Sequence, residues 1–165
     1  MKFNATVVNK VVVTCGEASK PGDPITLNAN KLKLPSGYAS TATESSIDGV
    51  SWSVTAAMKN SSGAIQMNKA KDGVLGHLWN TTAFAKPIAN VVFTFNSAQT
   101  SDAAVLCVEF GTDVIATPGS TYIGWDGNTT MTFTPETADA TYFSLSHKNA
   151  SGAMYVDSIV ITFVA

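Results

Sequence analysis

The chain has no arginine, two cysteines, two histidines and a charged fraction of only 13%, about half the usual share. Each shortage excludes something. Without arginine forks, and with a formal net charge of -2, there is no basic stripe of the kind that phosphate backbones require, so nucleic acid is excluded as a partner. No stretch reaches 18 apolar residues, so no membrane insertion is expected. In the opening run Asn4, Thr6, Asn9 and Lys10 interrupt what would be the apolar core of a signal peptide, and no secretion signal is expected either. Cys15 and Cys107 stand too far apart for a metal motif and are read as thiols; Cys107 lies in the run Ala104-Val105-Leu106-Cys107-Val108, where it serves as a small hydrophobe.

What fills the chain instead is hydroxyl and apolar surface. Serine and threonine supply 36 of the 165 residues, and hydrophobic residues make up 45%. A chain of this length buries roughly 70% of its extended surface as one domain, and nothing in 1–165 marks a linker, repeat or charge block. The apolar residues alternate with polar ones, which is the period of a half-buried strand. Over 50–55, Val50, Trp52 and Val54 share one face and Ser51, Ser53 and Thr55 the other. Residues 89–95 place Val91, Phe93 and Phe95 inward, and 141–147 place Phe143 and Leu145 opposite Tyr142, Ser144 and Ser146. The longest run, 154–164, is apolar on both parities and reads as a central strand covered on both faces. Weaker strands are expected at 6–14, 25–34, 64–67, 104–110, 121–125 and 130–134. Turn clusters at Pro21-Gly22-Asp23-Pro24, Asn60-Ser61-Ser62-Gly63, Pro118-Gly119 and Asp126-Gly127-Asn128 separate them. About ten short strands so punctuated predict an all-β, antiparallel, jelly-roll-like sandwich. Residues 70–79 form the best helical window, but Gly73 and Gly76 limit it to a single turn. Residues 1–20, set off by the Pro-Gly-Asp-Pro corner, are expected to form an N-terminal arm or edge strand.

No catalytic site is framed. Neither histidine neighbours a nucleophile motif such as G-x-S-x-G, and no ligand spacing implies a metal or other cofactor. Asp126, Glu136 and Asp139 fall close together, but the order of a calcium loop is missing, so they read as solvated turn residues. Asp157 shares parity with Tyr155, Ile159 and Ile161, which predicts an inward carboxylate that ties down a loop by accepting backbone N–H groups. Trp52 reads as core, and His147, at the end of its strand, as structural. Five Asn-x-Ser/Thr triplets, at Asn4, Asn60, Asn80, Asn128 and Asn149, are what so hydroxyl-rich a composition produces. The remaining candidates are rings beside glycine turns, since aromatic faces with amides and hydroxyls around them suit sugar rings. These are Trp79 and His77 in Gly76-His77-Leu78-Trp79-Asn80, and Trp125 and Tyr122 in Tyr122-Ile123-Gly124-Trp125-Asp126.

Two groups of segments carry a resemblance. Ile47-Asp48-Gly49-Val50-Ser51-Trp52-Ser53-Val54, then Ile65-Gln66-Met67, Leu78-Trp79-Asn80-Thr81-Thr82 and Pro87-Ile88, with Tyr142-Phe143-Ser144-Leu145 and the stretch from Ala153 to Thr162 as a closing pair, resemble a jelly-roll, carbohydrate-binding-like module of gut-bacterial surface proteins and of their phages' virion proteins. The resemblance spans about residues 25–165 and implies attachment or assembly without catalysis. Two functions follow from it. One is a phage virion surface protein, such as an auxiliary capsid, decoration or head-fibre protein, located on the virion surface, with capsid or other virion proteins as partners, cell-surface glycan as a further one, and room for a homo-oligomer; a chain without a signal fits this, because lysis releases virion proteins. The alternative is a carbohydrate-binding module of a secreted bacterial protein, extracellular or on the cell surface.

Overall fold

The computed structural model describes residues 22–68, 73–99, 105–148 and 152–165. The expected arm at 1–20, the strand at 6–14 and Cys15 lie outside them. Among the described residues there are twelve strands and no helix: β1 (Ile25–Leu27), β2 (Thr43–Ile47), β3 (Val50–Thr55), β4 (Ala57–Lys59), β5 (Ile65–Met67), β6 (Gly76–Asn80), β7 (Ile88–Phe95), β8 (Val105–Gly111), β9 (Ile123–Gly124), β10 (Thr130–Phe133), β11 (Tyr142–His147) and β12 (Met154–Phe163). They form two antiparallel sheets. Sheet A has the order β10-β7-β12-β5-β4, with β1 also pairing β12, and sheet B the order β2-β3-β6-β11-β8-β9.

The pairings β5–β12, β6–β11, β7–β10 and β8–β9 nest like the two arms of one long hairpin. Rolling that hairpin up places alternate members in opposite sheets, with β12 beside β7 and β11 beside β8, which is the jelly roll. The protein is an all-β sandwich.

Alternation supplies the core. Trp52, Leu78, Phe143 and Leu145 from sheet B meet Ile65, Met67, Phe93, Val156 and Ile159 from sheet A, all buried. Phe93 and Phe143 span the two layers with ring centroids 6.2 Å apart, and Phe84 closes one end against Trp52 at 5.8 Å and Phe163 at 5.1 Å. Trp52 is 0% exposed. At 25 cal/mol per Å² of apolar area, each fully buried large side chain contributes about 1.5–3 kcal/mol, so these few rings carry much of the fold.

Several elements depart from the sequence reading, each for a local reason. The stretch 25–34 is strand only as far as Leu27. Beyond it the chain winds into a turn in which Asn28 O accepts Leu32 N–H at 3.0 Å and Asn28 Oδ1 accepts Lys31 N–H at 2.9 Å, and this buries Ala29, Leu32 and Leu34 without extending. The 121–125 run contributes only the two-residue β9. The window at 70–79 holds strand β6 in place of a helical turn; its inward positions are Gly76, Leu78 and Asn80, and two of these hide the alternation. Strand β2, a polar Thr-Glu-Ser-Ser-Ile, is held by its register with β3 across Asp48 (φ 52°) and Gly49 (φ 82°), the two positive φ values of a type I′ hairpin. At the other end of β3 a single residue, Ala56 (φ 44°), passes the chain from sheet B to β4 of sheet A.

Strand β12 is central, between β7, β1 and β5. Its second face is not covered, however: Val160 is half-buried and Val164, just beyond the strand, is exposed. The parity argument for Asp157 also fails, because β12 bulges there. Val156 pairs Phe95 and Ser158 pairs the adjacent Thr94, so one residue is extra and the facing reverses across it. Val156 and Ile159 both point inward, and Asp157 is exposed. Its Oδ1 accepts the Asn96 side-chain amide at 2.6 Å, in place of backbone N–H groups.

Candidate functional site

The outer face of sheet B is built by the residues that alternate with the core. Because β3, β6, β11 and β8 are in register, Ser53, Trp79, Ser144 and Glu109 stand side by side, and Glu44 on β2 extends the row. One position along, Thr55, His77, Ser146 and Cys107 form a second row. His77 therefore lies within a strand and not in the single turn expected over 70–79.

Trp79 and His77 are two apart on β6 and stack, centroids 4.4 Å apart and planes 19° from parallel. His77 is 2% exposed, Trp79 half-buried. One face of the indole rests on the imidazole. On the side away from His77 the register places Ser51 and Tyr142, both half-buried. Burial drives the His77 pKa down to about 4, so the ring is neutral at pH 7, and its Nε2 has no hydrogen-bond partner among the described residues. A neutral imidazole against the indole leaves the platform uncharged.

The serines of the row are buried and hold the carboxylates at its ends. Ser53 Oγ donates to Glu44 Oε1 at 2.7 Å, and Ser144 Oγ reaches Glu109 Oε2 at 3.5 Å. Glu44 is exposed and Glu109 half-buried. The loop after β8 returns over this face. The Gly119 backbone lies so close to the Glu109 carboxylate that a Cβ there would collide with it. Farther along, the Tyr122 hydroxyl is 3.5 Å from Ser146 Oγ, and Lys148 Nζ stands 5.7 Å from the Tyr122 ring centre. Burial first, and the Glu109 charge second, push the Cys107 thiol up, so it stays protonated beneath the loop.

Of the four rings named from sequence, Trp79, His77 and Tyr122 thus share one face. Trp125 does not. It packs at the end of the sandwich against Phe95, centroids 5.9 Å apart, and donates its Nε1–H to Asn128 O at 2.7 Å. Asp126 caps the same turn by accepting the Asn128 N–H and Nδ2–H, each at 2.9 Å, which holds its carboxyl below the usual range. Asp126, Glu136 and Asp139 are all exposed. His147 is fully buried, its Nδ1 2.8 Å from Val105 O and its Nε2 3.3 Å from Gly152 O, and the neutral ring donates to one of these carbonyls. Sequence reasoning passed over Glu44, Glu109 and Tyr142. The available signal was the polar parity shared by Ser51, Ser53, Ser144 and Ser146, which marked the face but not the strand neighbours that fill it.

No protein-family model matches the sequence, and no curated protein sequence matches it. Among solved structures the chain is similar to a low affinity xylan binding module, CBM86, from the xylanolytic gut symbiont Roseburia intestinalis. The TM-score is 0.45 and the identity 14%, over 87% of this chain and 97% of that one.

Proposed function

We propose that this sandwich is a non-catalytic carbohydrate-binding module whose ligand lies across the outer face of sheet B, with Trp79 as its platform. The observation that carries the reading is the Trp79–His77 stack: a half-buried indole, backed by a neutral imidazole, in the middle of a sheet face. Such a ring offers an apolar plane for the C–H face of a sugar. Around it, the second oxygen of Glu44 and the Tyr142 hydroxyl supply partners for sugar hydroxyls, and buried Ser53 keeps the Glu44 carboxylate in place. Charge-assisted bonds of this kind are the strong ones in a wet site.

The same row argues for binding without cleavage. Glu44 and Glu109 are separated by four strand spacings, about 19 Å at the backbone, and each leans on its neighbouring serine. Trp79 stands between them, so they do not form the adjacent carboxyl pair that most glycoside hydrolases use. The Trp79 platform favours the carbohydrate-binding function, extracellular or on a cell surface, over the virion one. The virion reading rested on a signal-less, hydroxyl-rich single sandwich domain, and no feature of the described residues adds support to it.

The test is affinity gel electrophoresis of the full chain against soluble neutral polysaccharides, with Trp79→Ala beside the wild type and thermal melts to confirm folding. Retention on at least one polysaccharide, weakened at least tenfold in the variant, or about 1.4 kcal/mol, is expected. A folded Trp79→Ala protein retained as strongly as wild type would refute the site.

A further inference from the structure

The opposite side of the sandwich carries a second recess that the proposed site does not use. On the outer face of sheet A, Met58, Gln66 and Tyr155 stand side by side in register, and Gln66 Nε2 donates to the Tyr38 hydroxyl at 2.6 Å. Two polar turns wall this floor. In the β4–β5 turn Asn60 Oδ1 accepts the N–H groups of Ser62 and Ala64 at 3.0 and 2.8 Å. In the turn after β7 Asn96 Oδ1 accepts Ala98 N–H at 3.0 Å, and buried Gln99 fastens that turn to β12 by accepting Tyr155 N–H at 2.9 Å. The trough between them has a volume of about 870 Å³. A second recess of about 410 Å³ shares Asn96 and Ser97 with it and runs on to Trp125 and Asp157.

We infer that this continuous groove, from Met58 past Tyr155 and Asn96 to Trp125, is a second carbohydrate-binding site, one that takes a neutral oligosaccharide. Its lining is aromatic, amide and hydroxyl. Its two charges, Lys59 and Asp157, have opposite sign, and each already meets an asparagine, Lys59 Nζ donating to Asn30 Oδ1 at 3.2 Å and Asp157 accepting from Asn96. An anionic or cationic ligand finds no excess of opposite charge there. Both walls are fixed by turns that use their own side chains as acceptors, so the groove is formed before a ligand arrives, which lowers the cost of binding. A site on each outer face makes the protein bivalent, able to join two polysaccharide strands. The groove is independent of the Trp79 site but shares with it the premise that the ligand is a sugar polymer.

Four full-length proteins separate the two sites: wild type, Trp79→Ala, Ser97→Arg and the double variant. Ser97 is exposed on the rim, so a long side chain there fills the groove without opening the core; Tyr155→Ala is the second groove variant should Ser97→Arg melt early. The probes are the same soluble neutral polysaccharides, with clumping of polysaccharide-coated beads as a second readout. Each single variant should keep some retention, at least about tenfold below wild type because avidity is lost, and neither should clump beads, while the double variant should show no retention. Ser97→Arg and Tyr155→Ala both behaving as wild type would overturn the groove and leave the Trp79 site standing. Loss of binding in Ser97→Arg with none in Trp79→Ala would uphold the groove and overturn the Trp79 site. A wild-type protein retained by no polysaccharide would overturn both.

Discussion

Asn80 is the polar residue on which the join between β6 and β11 depends, and replacing it by alanine is the most informative test of the fold. The side chain is 0% exposed and faces inward, in the same cross-strand row as Trp52 and Phe143. Its Oδ1 accepts Phe143 N–H at 2.7 Å, and its Nδ2 donates to Thr82 O at 2.8 Å and Thr141 O at 3.2 Å. Alanine removes all three bonds, but the consequences differ. Thr141 O keeps the Phe84 N–H at 3.0 Å, and Thr82 is exposed, so its carbonyl turns to water. Phe143 N–H is enclosed and has no substitute. An orphaned buried donor costs about 1–3 kcal/mol, and the lost amide bonds add about 1, giving about 2–4 kcal/mol. In a domain of this size each kcal/mol lowers Tm by roughly 2–4 °C, so a fall of about 5–15 °C is expected by calorimetry, with a matching loss in urea denaturation. Asn80→Asp sharpens the test. It restores the acceptor but sets a carboxylate against two carbonyls, which raises its pKa in the folded state; the unfolded chain then binds fewer protons than the native one, and this variant should gain stability as the pH falls toward 4. Asn80→Ala within 0.5 kcal/mol of wild type would refute the reasoning.

Three further outcomes are expected. Gly76→Ala should cost about 1–3 kcal/mol in urea denaturation, the range for overpacking, because the added Cβ would stand 2.9 Å from the Asn68 carbonyl and 3.0 Å from Met67 Cβ; an unchanged midpoint would show that the β5–β6 connection yields. His77 has a folded pKa of about 4 through burial, below its ordinary 6.5, so the unfolded chain binds the extra proton; its contribution to stability is complete above about pH 6.5 and is lost as pH falls through 4. The advantage of wild type over His77→Phe should shrink between pH 7 and pH 4, and parallel curves would contradict this. Cys107 is buried and its thiol pKa is raised, so iodoacetamide should label it only after unfolding, as peptide mapping would show; rapid labelling of the native protein would mean that the loop over β8 and β11 opens.

The strands with strict alternation were legible. Val50–Thr55 and the run ending at Phe95 read correctly because Trp52, Phe93 and Phe95 fall two apart with polar residues between them. Strand β6 was hidden because its inward side holds a glycine and an asparagine, the former for want of room and the latter to bond backbone. Strand β2 was hidden because its inward positions include Thr43 and Ser45, and its identity comes from pairing with β3. The candidate site was half legible. Trp79, His77 and Tyr122 were chosen as rings near glycines, yet what unites them is a register between strands distant in sequence, and no local pattern encodes that. Trp125 was chosen on the same grounds and falls elsewhere for the same reason. The second face, with Tyr155 and Gln66, was invisible because its polar residues come one at a time from three strands.

The bulge in β12 also says where this strand tolerates a change of length. Omitting Asp157 would leave Met154, Val156, Ile159 and Ile161 in unbroken alternation, with Tyr155, Ser158 and Val160 between them, so every inward side chain would keep its partner in the opposite layer. Omitting Ser158 would have the same effect, whereas omitting any other residue inside the strand would turn half the row out to solvent. Kin of this chain that lack Asp157 would thus share its core while having lost the Asn96 anchor, and a gapless pairing of the two sequences would misplace everything on one side of that position.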